Sequence, residues 1–185
     1  RMFNDIHLSD DLNHHFRAYL ASSTQEQQQQ QTKSIDFSCT ILTLGSWPLF
    51  TSSINCVVPR PIEPMMNQFA QFYEKQQYKR RKLQWAPAVS RGVVKSNCWD
   101  SPYEFQVSQL HLAVLLLFND KTEYTVEELE RETEMEKSHL HPTLRICHSA
   151  KILLIKREGA VLSDGKNLSV ESNDRVSLNF EFSSK

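Results

Sequence analysis

Glycine is scarce in this sequence, with only four in 185 residues. Loops that cradle phosphate groups depend on glycine, and the one candidate runs from Gly159 to Lys166. Five residues separate its two glycines where a phosphate-binding loop has four, and Asn167 stands where a Ser or Thr would hold magnesium. The segment is therefore predicted to be a hairpin turn and not a nucleotide site.

Paired cysteines are also absent. Cys39, Cys56, Cys98 and Cys147 are tens of residues apart, whereas zinc sites that can be recognised in a sequence have closely spaced ligand pairs. We therefore expect no metal site, and reduced thiols are favoured over two disulfides. No nucleophile, base and orienting group stand out together, so we expect neither a cofactor nor catalysis.

Long apolar runs and an excess of one charge are missing as well. The longest apolar run, Leu112 to Phe118, is far shorter than the roughly 20 residues of a membrane helix. The 21 basic and 22 acidic residues nearly cancel, which argues against a surface built for nucleic acid or anionic lipid. The chain opens at Arg1 with no leader pattern, so we expect a slice of a longer protein without a secretory signal.

What the sequence does contain begins with a helical pattern. Ser9 is predicted to cap a helix, because apolar residues follow it at helical spacing. They are Leu12, Phe16, Tyr19 and Leu20. The glutamines from Gln27 to Gln31 have nothing to bury, and they predict a solvated loop over residues 23–34.

Strand periodicity follows the glutamines. Apolar and polar residues alternate from Phe37 to Leu44, until Gly45 ends the predicted strand. Pro64 suits the first turn of a second helix, whose apolar side is Met65, Met66, Phe69, Phe72 and Tyr73. Three further short strands are predicted at Leu83–Trp85, Val93–Asn97 and Tyr103–Val107. A helix reaching Phe118 is apolar nearly all round, which predicts that it is buried.

The last third has a different order of elements. Thr125 and Glu128 have the spacing of a capping box and predict a short helix to about Thr133. Ser138 is predicted to cap the next helix, with Pro142 in its first turn. A strand over residues 151–156, a turn and an alternating strand over residues 176–182 complete the order of a winged helix.

A winged helix raises the alternative of a nucleic-acid-binding protein. Between Lys121 and Ala150, however, seven acids face only four bases, which is unfavourable near phosphates. The only dense basic run, Lys79 to Lys82, is four residues long and more typical of a solvated turn. Nucleic acid binding is therefore the weaker hypothesis.

Several segments, in order along the chain, resemble the cullin family of ubiquitin-ligase scaffolds. The segments are Arg1–Ile6, Ser9–Asn13, Leu44–Leu49 with its G-x-W-P motif, Phe69–Tyr73, Arg81–Trp85, Gln109–Asn119 and Thr125–Leu129. The ending, Leu178 to Lys185, together with Gly45–Leu49, most resembles the paralogue that uses elongin B/C adaptors.

The resemblance implies an α+β fold in four parts. They are the last helix of a helical bundle (1–22), a Gln-rich loop (23–34), an α/β sheet segment (35–107) and a winged-helix domain (108–185). It also implies a non-catalytic scaffold subunit, cytoplasmic and nuclear, with no membrane partner. The lysine modified by neddylation would lie beyond Lys185.

The resemblance further implies the partners. A RING-box protein is expected to donate a strand to the α/β segment, and substrate-receptor adaptors and the neddylation machinery are expected to bind the whole scaffold. The candidate contact residues for the RING-box protein are Phe37, Cys39, Ile41, Thr43, Trp47, Leu83, Trp85, Val93 and Lys95.

Overall fold

The structure is a computed structural model that describes most of the chain. The described residues are 2–23, 35–45, 55–76, 81–87, 89–163 and 168–183. They fall into two compact units, the first from Arg1–Ser52 with Arg60–Gln84 and the second from Ser53–Pro59 with Trp85–Lys185. Both helices and antiparallel sheets are present, which confirms the predicted α+β class.

The first unit is built on two helices, α1 (Met2–Ser23) and α2 (Glu63–Lys75). Phe16 is completely buried, and its ring centroid lies 5.0 Å from that of Phe69 and 5.4 Å from that of Phe72. Pro64 lies in the first turn of α2, as predicted. The two apolar stripes that the sequence predicted therefore form the core of this unit.

The predicted start of α1 was wrong. The helix begins at Met2 and Ser9 lies inside it, where the Ser9 hydroxyl donates to the Asp5 carbonyl at 2.7 Å. A serine within a helix can donate a hydrogen bond to the carbonyl four residues earlier. Ser9 therefore has a partner for its hydroxyl inside the helix, although serine is more often found at an N-cap.

Two predicted strands were also wrong. Phe37 to Thr43 is extended but pairs with no strand in the part of the chain that the structure describes, and a turn at Leu44 and Gly45 ends it. Leu83 to Trp85 likewise forms no strand. Alternating apolar residues predict which side chains face a core. They do not predict which groups form hydrogen bonds with the backbone.

The second unit contains a two-stranded antiparallel sheet. Its strands are β1 (Arg91–Lys95) and β2 (Glu104–Ser108), so the predicted strands are displaced by two residues and by one. The helix α3 (Gln109–Leu117) follows directly. A Cβ atom on Gly92 would lie 2.6 Å from Leu112 Cδ1, so glycine lets β1 lie close to α3.

No residue of the helix α3 is exposed. Gln109, Leu112, Ala113 and Val114 are buried and the others are half-buried, which agrees with the burial predicted from a helix that is apolar nearly all round.

A second sheet has four antiparallel strands. They are β3 (Glu123–Thr125), β4 (Leu153–Arg157), β5 (Ala160–Val161) and β6 (Arg175–Leu178), in the order β3-β6-β4-β5. Helices α4 (Val126–Thr133) and α5 (Lys137–Ser149) belong to the same unit. The residues with no measurable exposure in this core are Val114, Val126, Leu129, Leu140, Leu144, Leu153, Ile155 and Val176.

Three details of this unit differ from the predictions. Glu136, and not Ser138, is the N-cap of α5, and Pro142 lies inside the helix beyond its first turn. Pro142 has no N–H to donate to the Ser138 carbonyl, and α5 continues past that missing bond. The last strand ends at Leu178, and Phe180 is 59% exposed.

An ion pair between the half-buried Arg157 and the buried Asp174 joins the end of β4 to the loop before β6. Asp174, only 1% exposed, accepts hydrogen bonds from Arg157 Nε at 2.7 Å and Nη2 at 2.8 Å. The backbone N–H of Glu171 also donates to this carboxylate at 2.8 Å. The hydrogen bonds from Arg157 lower the pKa of Asp174, which offsets the cost of burying the charge.

The predicted capping box is confirmed. The Thr125 N–H donates to Glu128 Oε2 at 2.8 Å, and the Glu128 N–H donates to Thr125 Oγ1 at 3.1 Å. Lys121 Nζ donates to the other oxygen of Glu128 at 2.8 Å. These bonds, the one from Lys121 first, lower the pKa of Glu128 to about 2.

Among the helices described, none is long and apolar enough to cross a membrane.

We predict that Glu128→Gln makes the chain less stable at pH 7 and less sensitive to acid. The folded pKa of about 2 lies below the ordinary 4.5. Glu128 therefore contributes stability above about pH 4.5, and this contribution disappears as the pH falls towards 2. Urea midpoints measured between pH 2.5 and 7 test this. Glu127→Gln, at an exposed neighbouring position, is the matched control; equal acid sensitivity in both variants would contradict the prediction.

Candidate protein-binding edge

The extended segment from Phe37 to Thr43 lies beside one face of α1. Three polar residues of the helix, Asp5, Ser9 and Asn13, succeed one another at intervals of four and therefore share that face. Each of them bonds the backbone of the segment, in the antiparallel sense.

Asn13 bonds Cys39 as a neighbouring strand would. The Cys39 N–H donates to Asn13 Oδ1 at 2.8 Å, and Asn13 Nδ2 donates back to the Cys39 carbonyl at 2.8 Å. Both backbone polar groups of Cys39 are therefore satisfied by a single side-chain amide.

Ser9 and Asp5 bond the next two alternate residues. The Ile41 N–H donates to Ser9 Oγ at 2.8 Å. The Thr43 N–H donates to Asp5 Oδ2 at 3.0 Å, and the Thr43 hydroxyl donates to Oδ1 at 2.9 Å. We call Asp5, Ser9 and Asn13, with their bonds to the segment, the side-chain ladder.

The spacing of the side-chain ladder follows from the two repeats. Four residues of an α-helix rise by about 6 Å. Two residues of an extended chain advance by about 6.6 Å. A polar row at every fourth helical position therefore stays in step with every second residue of an extended segment, over the three residue pairs seen here.

The other edge of the segment, which we call the open edge, has no bonded partner in the part of the chain that the structure describes. Because successive residues of an extended chain direct their N–H and C=O groups to opposite sides, those of Ser38, Thr40 and Leu42 point away from α1. No hydrogen bond joins these groups to any residue that the structure describes. Ser38 and Thr40 are exposed and Leu42 is half-buried, so this edge can accept a further strand.

The apolar candidate residues of this segment face the core. The side chains of Phe37, Cys39 and Ile41 are half-buried and pack against the α1–α2 core. Burial raises the pKa of the Cys39 thiol to about 12. Thr43 is exposed, and its hydroxyl donates a hydrogen bond to Asp5. These four candidates therefore fix the segment in place, and the open edge consists of the residues between them.

The sequence reasoning missed both the side-chain ladder and the open-edge residues. One signal was available: a polar row of Asp, Ser and Asn at intervals of four lies beside the apolar row of Leu12 and Phe16. A polar row that close to a core predicts bonds to a neighbouring backbone, although it does not say which one.

In the second unit, the outer edge of β1 also has no partner strand among the residues that the structure describes. The Ser96 N–H donates to the Tyr103 carbonyl, and the Gln109 N–H donates to the Ser90 carbonyl. These bonds show that the even-numbered residues of β1 direct their backbone groups towards β2. By alternation, the N–H and C=O groups of Val93 point outward. Those of Lys95 point outward as well.

The side chains of these two candidates are also exposed. Val93 is 65% exposed, and Lys95 Nζ lies 3.8 Å from Glu104 Oε1 in an exposed ion pair.

The remaining candidates are dispersed. Leu83 is half-buried in the core of the first unit, and Trp85, in the second unit, is 39% exposed. Trp47 lies outside the described residues. Of the basic run, Arg81 and Lys82 are described and exposed, and the first two residues are not described.

The described part of the chain contains no group of three or more His, Cys, Asp or Glu residues that could hold a metal ion. Cys39, Cys56, Cys98 and Cys147 are free thiols in the structure.

We predict that thiol labelling at pH 8 gives one fast and three slower sites. Cys98 is exposed, whereas burial raises the pKa of Cys56 to about 11 and those of Cys39 and Cys147 to about 12. Disulfide-exchange reagents followed by peptide mass mapping measure the rates. Cys98→Ser should remove the fast phase, and labelling of Cys39 as fast as Cys98 would contradict the burial described here.

Comparison with known proteins gives a consistent result over nearly the whole chain. The family model described as "Cullin alpha+beta domain" matches residues 41–182. Human cullin-4A is 32% identical over 186 aligned residues, which cover 100% of this chain and 22% of that protein. Cullin-1 of Dictyostelium discoideum is 33% identical, over 100% of this chain and 23% of its own length. The chain thus spans less than a quarter of these curated relatives.

Proposed function

Because this chain belongs to the cullin family, we propose that it is part of the scaffold of a cullin-RING ubiquitin ligase. In this proposal a RING-box protein adds a strand to the open edge of the segment from Phe37 to Thr43. The chain supplies position and no catalytic group, so substrate ubiquitination is carried out by the enzyme that the RING-box protein recruits.

The open edge is the observation that supports this proposal. Strand addition obtains affinity from backbone hydrogen bonds and specificity from the side chains on either side of them. Among the residues that the structure describes, no hydrogen bond occupies the backbone groups of Ser38, Thr40 and Leu42, which supply three alternate sites for backbone bonds. An unprotected edge of this kind is a liability unless a partner covers it.

The other candidates keep secondary places in the proposal. Val93 and Lys95 would contribute through the outer edge of β1, and Trp47, Leu83 and Trp85 as flanking contacts. Each is a separate contact to be tested.

We further propose that residues 108–185, within the second unit, form a winged helix used for spacing in the scaffold and not for reading nucleic acid. Its order is α3, β3, α4, α5 and the β4–β6 strands. The exposed side chain of Ile146 lies on α5, the helix that would read DNA, and the preceding α4 is rich in glutamate. Neither feature suits a phosphate backbone.

The partners of the whole scaffold follow from the same family membership. We propose substrate-receptor adaptors, of the elongin B/C type suggested by the chain's ending, and the neddylation machinery. Cytoplasm and nucleus are the proposed compartments. The modified lysine is expected beyond Lys185.

We predict that Thr40→Pro weakens binding to a RING-box protein by about tenfold or more. Proline removes one open-edge N–H while its fixed φ suits an extended backbone, and the bonds of Cys39 and Ile41 to α1 remain. Co-expression followed by calorimetric titration of the 185-residue chain measures the effect.

The matched control is Thr40→Ala, which removes the same side chain and keeps the backbone donor. We expect its affinity to equal that of the parent chain. A parent chain that elutes separately from the RING-box protein would overturn the proposal. Tight, steeply salt-dependent binding of duplex DNA would favour the nucleic-acid alternative instead.

A further inference from the structure

We infer that Asp5, Ser9 and Asn13 are positioning residues for strand addition, which hold the segment from Phe37 to Thr43 extended before a partner arrives. The inference rests on the function proposed above. It assigns to α1 a part in recognition although none of the three side chains bonds the open edge.

The first argument is that the side-chain ladder reproduces one side of a β-sheet. Cys39 exchanges a donor and an acceptor bond with Asn13, as it would with a paired strand. The Ile41 and Thr43 N–H groups have acceptors at 2.8 Å and 3.0 Å. The segment therefore has the conformation of an edge strand although no strand pairs with it in the described part of the chain.

The second argument is that two of the three side chains in the ladder are buried, while that of Asn13 is half-buried. Ser9 is 3% exposed and Asp5 is 8% exposed. Ser9 Oγ has one proton and two carbonyl oxygens within reach, that of Asp5 at 2.7 Å and that of Ile41 at 3.2 Å. It therefore donates to one and accepts from the Ile41 N–H at the same time, so its hydrogen-bonding capacity is well used.

The third argument concerns the two edges. The ladder uses only the groups of residues 39, 41 and 43, so a partner strand at residues 38, 40 and 42 displaces none of its bonds. An extended segment without such support would have to lose its conformational freedom at the moment of binding, which weakens affinity. The ladder makes that loss occur during folding.

The free chain offers a direct test that needs no partner and no variant. Hydrogen exchange of single amides by NMR should find Cys39, Ile41 and Thr43 protected, with Ser38, Thr40 and Leu42 exchanging at least about tenfold faster. Uniform exchange along residues 38–43 would overturn the inference, because the segment would then not be held by α1.

A variant tests the link to binding. Asn13→Ala leaves both polar groups of Cys39 without their partner, and we expect it to speed exchange of the Cys39 amide and to raise the Kd for a RING-box protein about tenfold. Asn4→Ala, at an exposed position of the same helix, is the matched control and should change neither. Circular dichroism verifies that α1 persists in both.

The outcomes separate this inference from the proposed function. If the parent chain binds a RING-box protein and Asn13→Ala binds as tightly as Asn4→Ala, the ladder is structural only and the inference fails. If the parent chain does not bind while the alternating exchange is observed, the ladder holds the segment but the proposed partner is wrong. Loss of folding in Asn13→Ala leaves the exchange measurement on the parent chain to decide.

Discussion

The hydrogen bonds from the side chains of α1 to the backbone of residues 39, 41 and 43 are the interaction on which the proposed binding edge depends. The apolar side chains of Phe37, Cys39 and Ile41 hold one face of the segment against the core, but a core contact alone leaves backbone polar groups to be satisfied. The helix satisfies alternate groups and leaves the others directed outward. One extended segment thus combines a fixed side and an open side.

This arrangement suits a scaffold. An interface made of backbone hydrogen bonds needs a partner strand of matching length but few specific side chains. Its affinity depends on how far the edge is already ordered before the partner binds. In the second unit, the close approach of β1 to α3 at Gly92 and the ion pair of Asp174 with Arg157 provide rigidity of other kinds. In the described part of each unit, an ordered stretch of backbone thus keeps one edge without a partner strand.

Much of the fold could be predicted from the sequence because apolar periodicity and capping chemistry are local. The stripe of α2 and the capping box of Thr125 and Glu128 lie where the pattern placed them. The sequence wrongly predicted a paired strand at residues 37–44. Alternating apolar residues show that one face of the segment is buried, but they do not show whether a strand or a helix forms hydrogen bonds with its backbone. The prediction that Ser9 caps a helix was wrong for a related reason. A serine hydroxyl can form hydrogen bonds inside a helix as well as at its N-cap.

The most direct measurement of the central claim is amide exchange in the complex of this chain with a RING-box protein. The account predicts that Ser38, Thr40 and Leu42 become strongly protected on binding, while Cys39, Ile41 and Thr43, already bonded to α1, change little. Protection that develops elsewhere, with Ser38, Thr40 and Leu42 still exchanging freely in a saturated complex, would contradict it.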